Sequence, residues 1–145
     1  MQIKEDTLKL LHECDKGLKM GIASIDDVID YASSEKLKES LNRCKDEHER
    51  IEGELKAMLN EYGEQTKKPG AIITGMSKLK TNMKLAFSES DKTIADLMID
   101  GCNMGTKSLS KYLNQYEAAE ERAKDITKKL IAEEDRLSLE MRLFL

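Results

Sequence analysis

A regular apolar pattern from Leu37 to Tyr62 constrains the fold of this chain most strongly. Its apolar positions recur at alternating steps of four and three residues, which is the spacing of one buried face on an α-helix. The one polar member of the series is His48, near its middle. Ser34 can cap the start by accepting a backbone N–H, and Gly63 can end the helix in a left-handed conformation. The pattern predicts a helix at about residues 35–62.

Similar apolar stripes predict three more long helices, at about residues 5–32, 91–116 and 118–144. Asp15 occupies an apolar position in the first of these stripes, and Glu133 does so in the last. The segment between the second and third long helices contains Pro69, which stops a helix, and then a short amphipathic pattern at about residues 71–86. We therefore expect four long helices and a connector with a short helix of its own.

The lengths of the connections predict the topology. Short links make the first two helices antiparallel neighbours, and do the same for the last two, whereas the long connector can run the length of a helix. The sequence thus predicts an all-α fold, a single four-helix-bundle domain at 1–145 in which hairpins 1–2 and 3–4 are joined by a long crossover.

Composition and motifs exclude several functions. The net charge is −4 with acidic and basic residues interspersed, which is unlike the basic footprint of a nucleic-acid-binding protein. The start of the chain has no signal-peptide pattern, and no apolar run is long enough to cross a membrane. Three well-separated cysteines do not form a disulfide framework, which favours a reducing, cytoplasmic location. No nucleophile triad, phosphate loop or HExxH motif occurs, so no catalytic residue is assigned.

The first hairpin, LLHECDKGLKMG to DEHERIEGELKAML, and the later segment GMSKLKTNMKLAF resemble the ferritin-like superfamily. More narrowly, they are similar to bacterial ferritin-like proteins of unknown function, over about residues 7–141. The resemblance implies a four-helix bundle and, in active members, a di-iron site made by a Glu from each of two helices and Glu-x-x-His from the other two.

This sequence departs from that ligand pattern. The residue three before His48 is Lys45, and the residue three after Glu133 is Arg136, so each half-motif lacks its partner. The third helix has no Glu near its middle. If a metal binds, the resemblance implies iron, manganese or zinc, and the available ligands are His48, Glu52, Asp15 and Glu133.

Each candidate ligand also has a structural interpretation. His48 can pack between helices with a carboxylate partner, and we expect Glu133 or Glu52 within its reach. Asp15 and Glu52 lie equally far from the first turn and can face each other, although we favour an Asp15 that reaches solvent. In the acidic run at 133–135 only Glu133 is expected to point inward, where a cation such as Lys45 or Arg136 can replace the metal.

The sequence therefore favours a non-catalytic binding or structural protein over an enzyme, with no resident cofactor. The alternative is a ferritin-like metalloprotein in metal handling or oxidative stress. We also expect a homodimer or small homo-oligomer, without nucleic-acid or membrane partners. The apolar residues behind this expectation are Ile72, Ile73, Met76 and Met83 in the connector and the C-terminal Leu-Phe-Leu.

Overall fold

The computed structural model describes residues 2–66 and 90–145. Within these two segments the protein is all-α, with four α-helices and no strand. The helices are α1 (Gln2–Val28), α2 (Glu35–Glu61), α3 (Ser90–Gln115) and α4 (Glu121–Met141). Short 3₁₀ helices follow α1 at Ile29–Tyr31 and α4 at Arg142–Phe144. The first and last α-helices thus end at Val28 and Met141, a few residues before the predicted bounds at about residues 32 and 144.

The ends of α2 are fixed by the residues that the sequence indicates. The Ser34 hydroxyl accepts a hydrogen bond from the backbone N–H of Leu37 at 3.3 Å. Gly63 follows the last turn with φ +74°, a conformation that favours glycine. The backbone N–H groups of Gly63 and Glu64 donate to carbonyl groups of the last turn, which completes the cap.

Two aspartates, one on α1 and one on α3, connect neighbouring helix ends by hydrogen bonds. Asp91, at the start of α3, accepts hydrogen bonds from the backbone N–H groups of Ser33 and Ser34. At the opposite end, Asp6 accepts from the N–H of Ala118, in the turn between α3 and α4. Helices α1 and α3 are therefore antiparallel, and α2 and α3 begin at the same end. The predicted crossover and its helix at 71–86 lie outside the described residues.

The four helices pack side by side, and α1 contacts each of the other three. Their apolar side chains form two clusters, one around Leu55 and Leu130 and the other around Leu41 and Met141. No helix in residues 2–66 or 90–145 has a stretch apolar enough for a membrane crossing.

A polar layer separates the two apolar clusters. We define it by His48 on α2, Glu133 and Glu134 on α4, Gly21 on α1 and Gly105 on α3. Along each of these helices the named residues fall between the positions that belong to one cluster and those that belong to the other. The layer is where the structure departs from a simple apolar core, and it contains the candidate site.

Candidate functional site

His48 is buried in the polar layer, with 2% of its surface exposed. Its Nδ1 lies 2.9 Å from the carbonyl oxygen of Cys44, one turn earlier on α2. A carbonyl oxygen can only accept, so Nδ1 carries the proton and Nε2 presents a lone pair. Burial lowers the pKa of His48, although the bond to Cys44 and the charge of Glu133 act in the opposite direction. The ring is therefore neutral near pH 7.

The hydrogen-bond partner of His48 differs from the predicted carboxylate. Within the described segments its Nδ1 bonds to Cys44, and neither ring nitrogen bonds to Glu52 or Glu133. The carbonyl one turn back lies beside the ring on the same helix, and Glu133 is bound to Arg136 instead. The other face of the ring covers Gly21, where an added Cβ would lie 2.7 Å from Nε2.

Asp15 and Glu52 are buried together, with 4% and 7% of their surfaces exposed. The expectation that Asp15 reaches solvent is wrong. Its Oδ2 lies 2.9 Å from the ammonium group of Lys19, whose long side chain reaches in from the surface. Burial raises the pKa of Glu52, and its contact with Asp15 raises it further. In the described residues neither carboxylate oxygen of Glu52 has a hydrogen-bond partner, which fits a carboxyl whose charged form is disfavoured.

Glu133 is buried against Arg136, one turn later on α4. The guanidinium Nε donates to one carboxylate oxygen of Glu133 at 3.1 Å, and its Nη2 donates to the other. Lys45 does not take part, because it lies 2.7 Å from Asp26 in an exposed ion pair. The cation that pairs with Glu133 is thus Arg136, at the position where the ferritin-like pattern has histidine.

The four predicted ligands do not form one metal-ligand set. Asp15 faces Glu52, Glu133 binds Arg136, and His48 bonds to the backbone. Across residues 2–66 and 90–145, no group of three or more His, Cys, Asp and Glu side chains has a geometry suited to a metal ion. The residues present do not fit the di-iron set of ferritin-like proteins.

A cavity of about 200 Å³ lies in the polar layer, mainly between α1 and α3. Glycine pairs one turn apart on these two helices line it. An added Cβ at Gly101 would meet no atom within 4 Å, whereas one at Gly105 would overlap the carboxylate of Glu134. The bare backbone of Gly105 therefore makes room for the Glu134 side chain, and the exposed Gly101 leaves the cavity wall open beside it.

Glu134 is the site residue that the sequence interpretation missed. It lines the cavity and is only 8% exposed, and within the described residues its Oε2 has no hydrogen-bond partner. Burial raises its pKa to about 8, with a smaller effect from Asp135. We expected only Glu133 of the acidic run at 133–135 to point inward, yet both glutamates do. Glu134 follows Leu130 by four residues and precedes Leu137 by three, a spacing that equally predicts a buried position.

The sequence matches a family model described as a domain of unknown function, DUF2383, over residues 6–115. The chain belongs to the DUF2383 family. The match covers α1, α2 and α3, and thus includes His48 and the glycine pairs that line the cavity. No curated protein sequence matches the chain.

The fold of this DUF2383 protein resembles the crystal structure of a DUF305 fragment from Deinococcus radiodurans, with a TM-score of 0.73. The similarity covers 94% of this chain and 93% of that one at 10% sequence identity. At this identity it supports the four-helix fold and carries no information about a ligand or an activity.

Proposed function

We propose that this DUF2383 protein is a ferritin-like four-helix bundle that binds a small ligand in its central cavity and performs no catalysis. Three features support the ferritin-like assignment. Helices α1 and α2 form a hairpin, α3 and α4 form a second, and α2 runs parallel to α3. The cavity of about 200 Å³ beside a buried, unpartnered carboxyl oxygen carries the proposed binding role.

A purely structural role explains Gly21 and Gly105, which make room for His48 and Glu134, but it does not explain Gly101 on the cavity wall or the unpartnered carboxyl oxygen of Glu134. Each glycine within a helix costs about 1 kcal/mol relative to alanine. An alanine at Gly101 would meet no neighbouring atom within 4 Å, so no packing contact requires glycine there. A buried carboxylate without a partner is a further cost. Both features are explained if the space receives a ligand.

The ion pairs support a role without a metal centre. Arg136 neutralises Glu133, and Lys19 neutralises Asp15, so two of the carboxylates that a metal would need are already paired. The alternative is a ferritin-like protein that binds iron, manganese or zinc. Purified protein analysed for metals distinguishes the two, because two metal ions per chain would contradict the proposal.

A cavity-filling variant tests the binding role. Gly101→Leu adds an apolar side chain at an exposed glycine on the cavity wall, and Gly53→Leu makes the same change at an exposed glycine of α2 that does not line the cavity. Toluene and benzylammonium serve as probes, followed by NMR chemical shifts of the cavity methyl groups. We expect the Gly101 variant to lose binding and the Gly53 variant to keep it. The proposal fails if neither probe binds the unaltered protein.

A further inference from the structure

The carboxyl group of Glu134 lies over the bare backbone of Gly105, at the wall of the cavity. More than nine-tenths of this residue is buried, and Oε2 has no hydrogen-bond partner in the part of the chain that the structure describes. The acidic residues on either side of Glu134 do not provide a hydrogen bond to its carboxyl group. Glu133 is bound to Arg136, and Asp135 is exposed. The ionised carboxylate of Glu134 is therefore an acceptor without a donor, and because the residue lines the cavity, a ligand held there can supply one.

His48 supplies a second acceptor at the same level. The ion pairs Arg43–Glu140 and Glu54–Lys129 fix the antiparallel register of α2 and α4. In that register His48 lies at the level of residue 135, one position along α4 from Glu134. Its Nδ1–H donates to the carbonyl of Cys44, so Nε2 is the ring nitrogen whose lone pair is free. His48 lines the cavity, so this lone pair is the second acceptor there.

The rest of the wall is largely apolar and adaptable. Ile25, Leu97, Met98, Leu109 and Leu137 all line the cavity. Methionine side chains adjust their shape to a ligand at small cost. An engineered cavity of about 150 Å³ in another protein holds benzene. The cavity of about 200 Å³ here therefore suits a ligand whose apolar part is about the size of one aromatic ring. Lys16, also on the wall, lies 3.7 Å from Glu13, which gives that lysine an acidic partner of its own.

We propose that the cavity binds a small primary ammonium ion with an apolar body, with Glu134 as its counter-ion and the Nε2 atom of His48 as a second acceptor. An ammonium group has only donors, and these two groups are acceptors. An alcohol or a carboxylic acid would supply one donor at most, and a carboxylate would supply none. The inference rests on the proposed function, because it names the ligand class of the same cavity.

Binding releases a proton below about pH 8. The pKa of Glu134 is about 8, so at neutral pH the carboxyl is protonated and must transfer its proton to solvent before it can pair with the ammonium. Affinity should rise about tenfold per pH unit up to about pH 8 and then level off. The other titratable groups that face this space from α1, α2 and α3 are Glu13, Lys16, Cys44, His48, Cys102 and Tyr112. Burial raises the pKa of both cysteines and of Tyr112 and lowers that of His48, so these four hold their charge state through this interval.

Isothermal titration calorimetry with benzylammonium and toluene tests the inference. Hydrogen bonds to charged groups contribute about 1.5–3 kcal/mol, so we expect benzylammonium to bind at least about tenfold more tightly than toluene at about pH 8. Glu134→Gln should remove this advantage and leave toluene binding within about twofold. Asp135→Asn is the matched control, since it removes the neighbouring charge at the exposed surface and should preserve the preference.

The outcomes separate the two proposals. Toluene binding without a preference for benzylammonium, or a preference that survives Glu134→Gln, overturns the ammonium assignment and leaves the binding cavity standing. Failure of both probes overturns both. If Glu134→Gln does not fold, the pH dependence of the unaltered protein decides, because an affinity for benzylammonium that is constant between about pH 6 and 8 contradicts the linkage to Glu134.

Discussion

Replacement of Glu134 by glutamine should stabilise the protein, and the gain should grow with pH. Glutamine keeps the shape of the side chain but cannot ionise. The carboxyl of Glu134 has a pKa of about 8 in the folded protein against an ordinary value of 4.5. Between these two values the folded chain retains a proton that the unfolded chain has lost, so the free energy of unfolding falls as pH rises.

The size of the effect follows from the two pKa values. Each pKa unit corresponds to about 1.4 kcal/mol, so Glu134 lowers the free energy of unfolding by about 3 kcal/mol at pH 7 and about 5 kcal/mol above pH 8. These are upper limits, because the cavity reaches the surface beside Met104, which is 70% exposed, and water can solvate the carboxylate. Glu52 also has a raised pKa, but it is present in both proteins and cancels in the difference.

Urea denaturation followed by circular dichroism measures this difference. We expect the two proteins to have nearly equal free energies of unfolding at about pH 4.5 and to diverge by up to about 3 kcal/mol at about pH 7, with unchanged m-values. Asp135→Asn controls for net charge and should show no such divergence. A constant offset between Glu134→Gln and the unaltered protein across this range would refute the buried, unpartnered carboxyl.

Three further predictions concern the same layer and the assembly. Gly101→Ala should stabilise the protein by up to about 1 kcal/mol in thermal denaturation, because a methyl group fits in open space. Gly21→Ala should destabilise it, because its Cβ would lie 2.7 Å from the ring of His48, and an equal effect of both alanines would contradict this packing. Arg136→Met should cost about 3 kcal/mol by leaving Glu133 buried without a cation, and the loss should be recovered when Glu133→Leu is added. Light scattering tests the predicted homodimer, and a mass that stays near 16.5 kDa at all concentrations would contradict it.

Periodicity predicted much of what the helices bury. Every apolar position assigned to the stripe of α4, from Ala119 to Met141, is buried, and so is Glu133. The level at which Asp15 meets Glu52 followed from counting residues back and forward from the turn between α1 and α2. Both results depend on the fixed rise and rotation per residue of an α-helix, so residue spacing in the sequence is enough to predict them.

The stripe predicted for α3 was less accurate. Met104 follows Gly101 by three residues and Leu97 by seven, a spacing that predicts a buried position, yet its side chain is 70% exposed. With Gly101 and Gly105 nearby, this helix has few apolar residues at its middle, and Cys102 is buried there although it lies outside the predicted stripe, whereas Leu109 is buried as its spacing predicts. The cavity also depends on absent side chains across two helices, which no single-helix pattern reveals.

The partners of the polar residues could not be read from spacing. His48 had two acidic candidates in the sequence, but the deciding acceptor is a backbone carbonyl, which any residue carries. Asp15 was expected at the surface because a lone buried carboxylate is costly, and Lys19 removes that cost from one turn away on α1.

In the C-terminal Leu-Phe-Leu, Leu143 and Leu145 are 83% and 60% exposed, while Phe144 packs on the core.

A direct NMR titration of the side-chain carboxyl carbon of Glu134, with and without benzylammonium, tests the central claim most directly. The account predicts a midpoint at about pH 8 in the free protein and a downward shift when the probe is bound, since a cation favours the ionised form. A midpoint near the ordinary value of 4.5 that does not respond to the probe would contradict both the buried acceptor and its proposed ligand.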